Sequence, residues 1–420
     1  MERIVAATYR LAGGERFWLP QLLSSIFWLV GGGLLYRIAE KTASPAAALF
    51  SLAFYLLLPF AVVASRSFQP DPLMVMLLLA GSLAILRYYE QPTSARLIAA
   101  TGLSALAVLV KPVGLFALVG VFVSLGISRY GVRRAIATPA FLLFSTAILL
   151  PTIAFYVYGV FISGFLRDQA RSSFLPQLLI DPFFWRGWLA NIDRVVGLTP
   201  FIGALVGVLL FAPGLPRNMV VGWWAGYAAF CLVFNYHIAT HDYYHLQLVP
   251  IVALSLGPIV ALITRSLNDA RDGSYLRLAF WCIALLALSL NLAATRFRLV
   301  NPGYKDRVRV SEQIGEHVKH SPNTVYLSSD YGLPLEYHGA LSGRPWPLAS
   351  DLEWERLAGV PAPDAERRFD SVFARAAPQY FIVEDLEQLV QQPDLRRFLI
   401  ERFPLVVRTD EFLIFKLEDR

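Results

Sequence analysis

The sequence predicts two kinds of material in one chain: an all-α polytopic membrane domain over residues 1–295, then a small α/β domain over residues 296–420. Three observations carry this reading. Hydrophobic residues make up 56% of the 420 and charged residues only 16%, against about 25% charged in a soluble globular protein. The apolar excess is gathered into runs of roughly 17–25 residues, the length that crosses a bilayer. Near residue 296 those runs stop, and shorter, mixed elements begin.

About ten windows qualify as spans by hydropathy. They lie at 18–39, 45–64, 72–87, 95–110, 112–128, 137–160, 198–213, 218–236, 246–264 and 277–295. The net charge of +6 does not need a nucleic-acid partner, because membrane proteins carry extra Lys and Arg in cytoplasmic loops. The two cysteines, Cys231 and Cys282, both fall inside spans, which argues against a disulfide framework. The first residues, MERIVAATYRLAGGERF, contain no apolar core of a signal peptide.

Basic residues set the orientation. One alternating set of loops holds eleven, among them Arg37, Lys41, Arg87, Arg96, Arg129, Arg133 and Arg134; the opposite loops hold six, and Arg3, Arg10 and Arg16 of the N-terminus fall on that side too and narrow the contrast. The richer set is expected to face the cytoplasm of an inner (plasma) membrane. The other face then collects the 65–71 seam, Lys111, the 161–197 loop, the 236–245 segment and the C-terminal domain, which is therefore expected to be extracytoplasmic. This orientation also puts the N-terminus outside with nothing before it to carry it across, so the expectation is either an unusual start or a first transmembrane helix missing from this chain.

The C-terminal domain reads as follows. KDRVRVSEQIGEHVKH has apolar residues at helical spacing; TVYLSSD and QYFIVED are short β-rich runs; LEQLVQQPDLRRFLIERF is helical; PLVVRTDEFLIFKLE is two strands joined at Thr409–Asp410. No Gly-rich phosphate loop follows a strand, so no nucleotide site is expected.

Polar residues between apolar runs are the functional candidates, since charge there is costly unless it works. In SRSFQPDPLMVM, Arg66 and Asp71 share a short turn. The competing structural reading is a tight interhelical turn in which Arg66 meets headgroups and Asp71 caps the next helix before Pro72. Lys111 stands at a span end before Pro112; it can snorkel harmlessly or hold a phosphate as a point charge. NYHIATHDYYHLQLVP holds three of the six histidines, His237, His241 and His245, with Asp242, Tyr243 and Tyr244. That turn reads as an interfacial aromatic belt, as a phosphate- or sugar-binding rim, or, with histidines four apart, as a site for a divalent metal. The 161–197 loop, with Phe183, Phe184, Trp185 and Trp188, predicts a helix lying along the outer surface.

These segments together resemble the integral-membrane GT-C glycosyltransferases, most closely the protein O-mannosyltransferase and aminoarabinose-transferase-like group, glycosyltransferase families 39 and 83. GGERFWLPQLLSSIFWLVGGGLLYRIAEK is similar to the segment leaving that family's first outer loop. LPFAVVASRSFQPDPLMVMLLLAGSLAILRYYE is similar to its Pro…Arg…Asp segment, LSALAVLVKPVGL to its lysine motif, and THDYYHLQLVP to its tyrosine-rich turn. The family's acidic first-loop motif has no counterpart here, and Glu15 is a poor replacement for its base.

The resemblance implies an inverting transfer of a monosaccharide from a polyprenyl-phosphate donor to an acceptor hydroxyl on a lipid, glycan or protein. Asp71 and Arg66 would be catalytic. Lys111, His241, Asp242, Tyr243, Tyr244 and His245 would bind substrate, with Lys111, Arg66 and His245 as the cations for the departing phosphate. Asp71, Lys111 and the 241–245 turn are expected to meet in one cavity, and loss of the Lys111 ammonium to leave folding nearly unchanged. A lipid-linked sugar transporter and a non-catalytic membrane scaffold are the rival classes; the first would favour paired repeats and broken mid-membrane helices.

Overall fold

A computed structural model describes residues 1–166, 175–270, 273–300, 303–360, 363–373 and 376–417. The chain divides into two compact units, Met1–Leu299 and Val300–Arg420.

In the first unit most residues of every predicted window are helical, although the windows 45–64 and 218–236 each divide between two helices. Several helices start where the sequence supplies a cap. Ser44 accepts from the Ala47 amide with Pro45 in the first turn, Thr93 from Arg96, Thr138 from Phe141, and Asp181 from Phe183. Each side chain satisfies an amide that the helix itself leaves free.

Among the described residues, five helices are long and apolar enough to cross a membrane: Trp18–Thr42, Asp71–Glu90, Pro139–Ile162, Asp242–Asp269 and Gly273–Val300. A sixth arises if Pro182–Val195 and Leu198–Leu209, bent by 92°, count as one span. Ten was the expectation, and length explains part of the difference. Pro45–Leu57 has 13 residues and is cut short before Pro59; Ser94–Val110 and Gly114–Tyr130 have 17 each. At about 1.5 Å per residue these fall short of a hydrocarbon core of about 30 Å.

Two packing features place the candidate residues. The Asp71–Glu90 helix is the most enclosed of the five, lined by Leu73, Met74, Val75, Leu78 and Leu79. It runs beside Ser94–Val110, which ends at Lys111. Helices Gly114–Tyr130 and Leu215–Val233 touch backbone to backbone. A Cβ at Gly120 would run into the Gly222 carbonyl oxygen, and one at Gly226 into that of Phe116. Only glycine permits this approach, the means by which helices pack closely in lipid. The helix that follows Lys111 and the helix that carries Tyr227 are thereby locked together.

The second unit is built on a five-stranded sheet of order β2-β1-β3-β5-β4. The strands are β1 Thr324–Leu327, β2 Gly343–Pro345, β3 Tyr380–Val383, β4 Leu405–Arg408 and β5 Leu413–Lys416. β1 is parallel to β2 and β3; β5 is antiparallel to β3 and β4. Side chains alternate across the sheet, as a strand requires. Val325, Leu327, Phe381, Val383 and Phe415 face a core with Trp346, Phe369 and Leu399, whereas Tyr326, Ile382 and Ile414 face Val310, Ile314 and Val318. β1, β3, β4 and β5 lie where the sequence puts them. β2 was not expected: three residues, Gly343–Arg344–Pro345, carry almost no strand propensity. The helical run 386–403 is two helices, broken at Gln392 before Pro393.

Candidate active site

Four sequence-predicted residues converge. Asp71 is the first residue of its helix and Lys111 the C-terminal cap of the next one. Because these helices are neighbours running in opposite directions, the two residues share one end of the helix pair. Lys111 Nζ donates to both carboxylate oxygens of Asp71, at 2.8 and 2.9 Å. Side-chain exposure is only 4% for Asp71 and 14% for Lys111. The N-cap of this helix is Pro70, and Asp71 is its first helical residue.

The tyrosine turn closes over the same lysine. Asp242–His245 is a single 3₁₀ turn between helices Asn235–Thr240 and Leu248–Asp269. Lys111 Nζ lies 4.4 Å from the ring centroid of Tyr244 and 5.0 Å from that of Tyr243. A cation over a ring face within about 6 Å is attracted by the ring quadrupole. The ammonium thus has one carboxylate and two aromatic faces around it. His237 and His241 extend the same aromatic floor, their rings 5.2 and 6.0 Å from Tyr244. Burial first, then the neighbouring His241 and Lys111, push His237 down to about 4, so at neutral pH it is an uncharged member of the floor.

The other candidates stand differently. Asp242 faces Arg194 of the Pro182–Val195 helix at 3.6 Å. His241 Nδ1 sits 2.7 Å from the Thr240 hydroxyl. Arg66 is exposed on the 65–70 turn, and no ion pair of its guanidinium occurs among the described residues. Glu15 is exposed. His245 is fully buried, with one ring nitrogen on the Tyr227 hydroxyl at 2.6 Å and the other on the Ile238 carbonyl at 2.9 Å. It has no nitrogen left for a phosphate, which corrects the expectation that it is one of the phosphate cations. Among the described residues no group of three or more His, Cys, Asp or Glu could hold a metal ion.

A helix is present within the 161–197 loop, at Pro182–Val195. Phe183 and Trp185 are exposed, and Phe184, Asn191 and Ile192 are buried. Part of that loop, residues 167–174, lies outside the described residues. Tyr227 and Asn191 also bear on the site through His245 and were not read as functional; Trp188, read as an interfacial aromatic, does so as well. Tyr227 sits inside an apolar span, and its only signal was that a buried phenol needs a partner.

Residues 3–158 match the family described as dolichyl-phosphate-mannose-protein mannosyltransferase. No curated protein matches the chain by sequence. Among solved structures, the fold is similar to ArnT from Cupriavidus metallidurans bound to undecaprenyl phosphate: TM-score 0.58, 15% identity, covering 98% of this chain and 86% of that one. It is also similar to the oligosaccharyltransferase of Archaeoglobus fulgidus in its apo form, with TM-score 0.53 and 14% identity, covering 90% of this chain and 61% of that one. The chain is thus similar to integral-membrane glycosyltransferases, in sequence over residues 3–158 and in fold over most of its length.

Proposed function

We propose that the protein transfers a monosaccharide from a polyprenyl-phosphate donor to an acceptor hydroxyl at the extracytoplasmic face of the plasma membrane, with inversion. The observation that carries this is the Lys111 ammonium, enclosed at a helix end by Asp71 and two tyrosine faces. The undecaprenyl phosphate bound by ArnT and the dolichyl-phosphate named in the family description indicate the donor class. The alternation of basic loops supports the face.

In this reading the acceptor oxygen attacks the anomeric carbon, the bond from that carbon to the phosphate oxygen breaks, and the polyprenyl phosphate leaves. Lys111 stabilises charge on the leaving group, and stabilisation of developing charge is usually the greatest contribution an active site makes to rate. Asp71 holds the ammonium in place. When Lys111 turns to the donor phosphate, the Asp71 carboxylate becomes available to take the acceptor proton, a role commonly contributing about 10²–10⁴-fold. Arg66, on the exposed turn, meets the phosphate from the solvent side. His241, Asp242, Tyr243 and Tyr244 line the sugar-binding rim.

The test is transfer of labelled sugar from a series of polyprenyl-phosphate monosaccharides by the purified chain, with any upstream coding sequence included. Lys111→Ala is expected to lower turnover or donor affinity about ten- to a hundredfold, the weight of one charge-assisted hydrogen bond. Turnover and undecaprenyl-phosphate binding that are both unaffected by Lys111→Ala would overturn the assignment.

A further inference from the structure

We propose that Tyr227 and His245 are positioning residues, the centre of a hydrogen-bonded brace that fixes the Tyr243–Tyr244 turn against Lys111. The proposal rests on the reading of Lys111 as the donor-phosphate cation.

The turn needs such a device. Asp242–His245 is four residues of 3₁₀ structure with no side-chain cap, and short 3₁₀ turns have poor hydrogen-bond geometry. Yet its two rings must stay within about 6 Å of the ammonium to attract it. The brace holds the turn at its last residue. A carbonyl oxygen can only accept, so the His245 nitrogen facing Ile238 carries the proton, and Nδ1 accepts from the Tyr227 hydroxyl. That fixes one tautomer of a neutral ring.

Both ends of the chain of hydrogen bonds return to one helix. Trp188 Nε1 donates to the Tyr227 oxygen at 3.4 Å, and Asn191 Nδ2 donates to the Ile238 carbonyl at 3.0 Å. Trp188 and Asn191 are three residues apart, on one face of Pro182–Val195. The Ile238 carbonyl is one of those a helix end leaves free; here it accepts from both His245 and Asn191. The contact is close enough that a Cβ at Gly187 would lie 2.5 Å from the Ala239 carbonyl oxygen. The other edge of the same helix exposes Phe183 and Trp185. The tyrosine turn is thus tied to a helix with an aromatic edge suited to the membrane interface.

The experiment uses the full chain in detergent, with Tyr227→Phe and His245→Gln. The first removes only a hydroxyl; the second keeps a donor for Ile238 and loses the Tyr227 bond. An amine-reactive acylating reagent is applied, and labelling of Lys111 relative to Lys41 is read by peptide mass spectrometry. Both variants are expected to raise Lys111 labelling about three- to tenfold and to weaken undecaprenyl-phosphate binding by a similar factor. In a Tyr244→Leu background, Tyr227→Phe should add nothing, because Tyr227 acts through the turn. Unchanged labelling in both variants, or losses from Tyr227→Phe and Tyr244→Leu that simply multiply, would overturn the brace. If labelling rises but the unaltered protein binds no undecaprenyl phosphate, the brace stands and the donor reading falls.

Discussion

In the membrane unit the Asp71 carboxylate is buried and has one strong partner, Lys111. In the C-terminal unit, ion pairs such as Arg309–Glu411 and Arg356–Glu353 stand in solvent. The apolar residues are distributed in the opposite sense. Leu278, Trp281, Ile283 and Leu285 of the Gly273–Val300 helix face outward, where lipid would receive them. In the C-terminal unit Leu327, Trp346, Phe381 and Leu399 are enclosed. One kind of ion pair therefore has two different weights. Exposed pairs contribute little because water already solvates both charges. A buried charge is costly to leave alone. Removing one charge should be felt in the membrane unit and hardly at all in the other.

The largest effect should follow Lys111→Ala. Beyond the loss of transfer, it strands Asp71 in an apolar setting, a change that commonly costs about 3–5 kcal/mol when one partner of a buried pair is removed. Read without the partner, Lys111 carries the opposite expectation, that folding would barely change. Thermal unfolding in detergent should therefore show a marked drop for Lys111→Ala. It should largely recover in Lys111→Met/Asp71→Leu, which removes both charges, while transfer stays lost. Full stability in Lys111→Ala would contradict the difference between buried and exposed pairs at its centre. Glu411→Gln in the C-terminal unit is the matching control and should leave unfolding unchanged.

Next comes a core deletion in the C-terminal unit. Leu327 is fully buried on β1 among Phe381, Val383 and Leu399. Leu327→Ala should cost about 2–5 kcal/mol through lost burial and the cavity left behind. The loss should appear as faster hydrogen exchange in β1 and β3 amides, with the helices around Lys111 unchanged. Equal loosening in both units would show that they do not unfold separately.

The fold was legible where one residue type decides the outcome. Ser44–Pro45 and Asp181–Pro182 announce helix starts, and VYL and FIVE announce strands whose faces are buried. The span count was less legible: hydropathy windows do not register that Pro59 ends a helix or that 17 residues fall short. At the site, Asp71, Lys111, Tyr243 and Tyr244 stood out as polar residues at the ends of apolar runs, and the structure brings those four together. The partnership itself was not legible. Asp71 and Lys111 are 40 residues apart, and nothing local distinguishes a free carboxylate from one bound to a lysine. His245 shows the same limit. Its residue type fits a phosphate ligand, and only its two occupied nitrogens show that it holds structure in place. Tyr227 lacked even the signal of position, because it sits mid-span.

The smallest predicted effect lies in the C-terminal unit. Glu384 follows β3 and is half-buried, and its carboxylate accepts from the Ser328 hydroxyl. Burial raises its pKa above the ordinary value, against the lowering effects of the Ser328 hydrogen bond and Arg307; Asp385 and Asp330 add to the rise. Among the described residues no lysine pairs with it as Lys111 does with Asp71. The sign follows from proton binding. Between the unfolded value, about 4.3, and the raised folded value, the folded chain holds more protons than the unfolded one. Stability therefore falls as pH rises through that window, and at neutral pH the full cost is present. Glu384→Gln removes the charge but keeps an acceptor for Ser328. Exchange protection of β1 and β3 amides should rise slightly at pH 7, and its decline as pH rises from the ordinary carboxylate range toward neutrality should flatten. Lower protection at neutral pH in the glutamine variant would mean that the charge at 384 is stabilised by its surroundings after all, and that the C-terminal unit, too, depends on a partnered carboxylate.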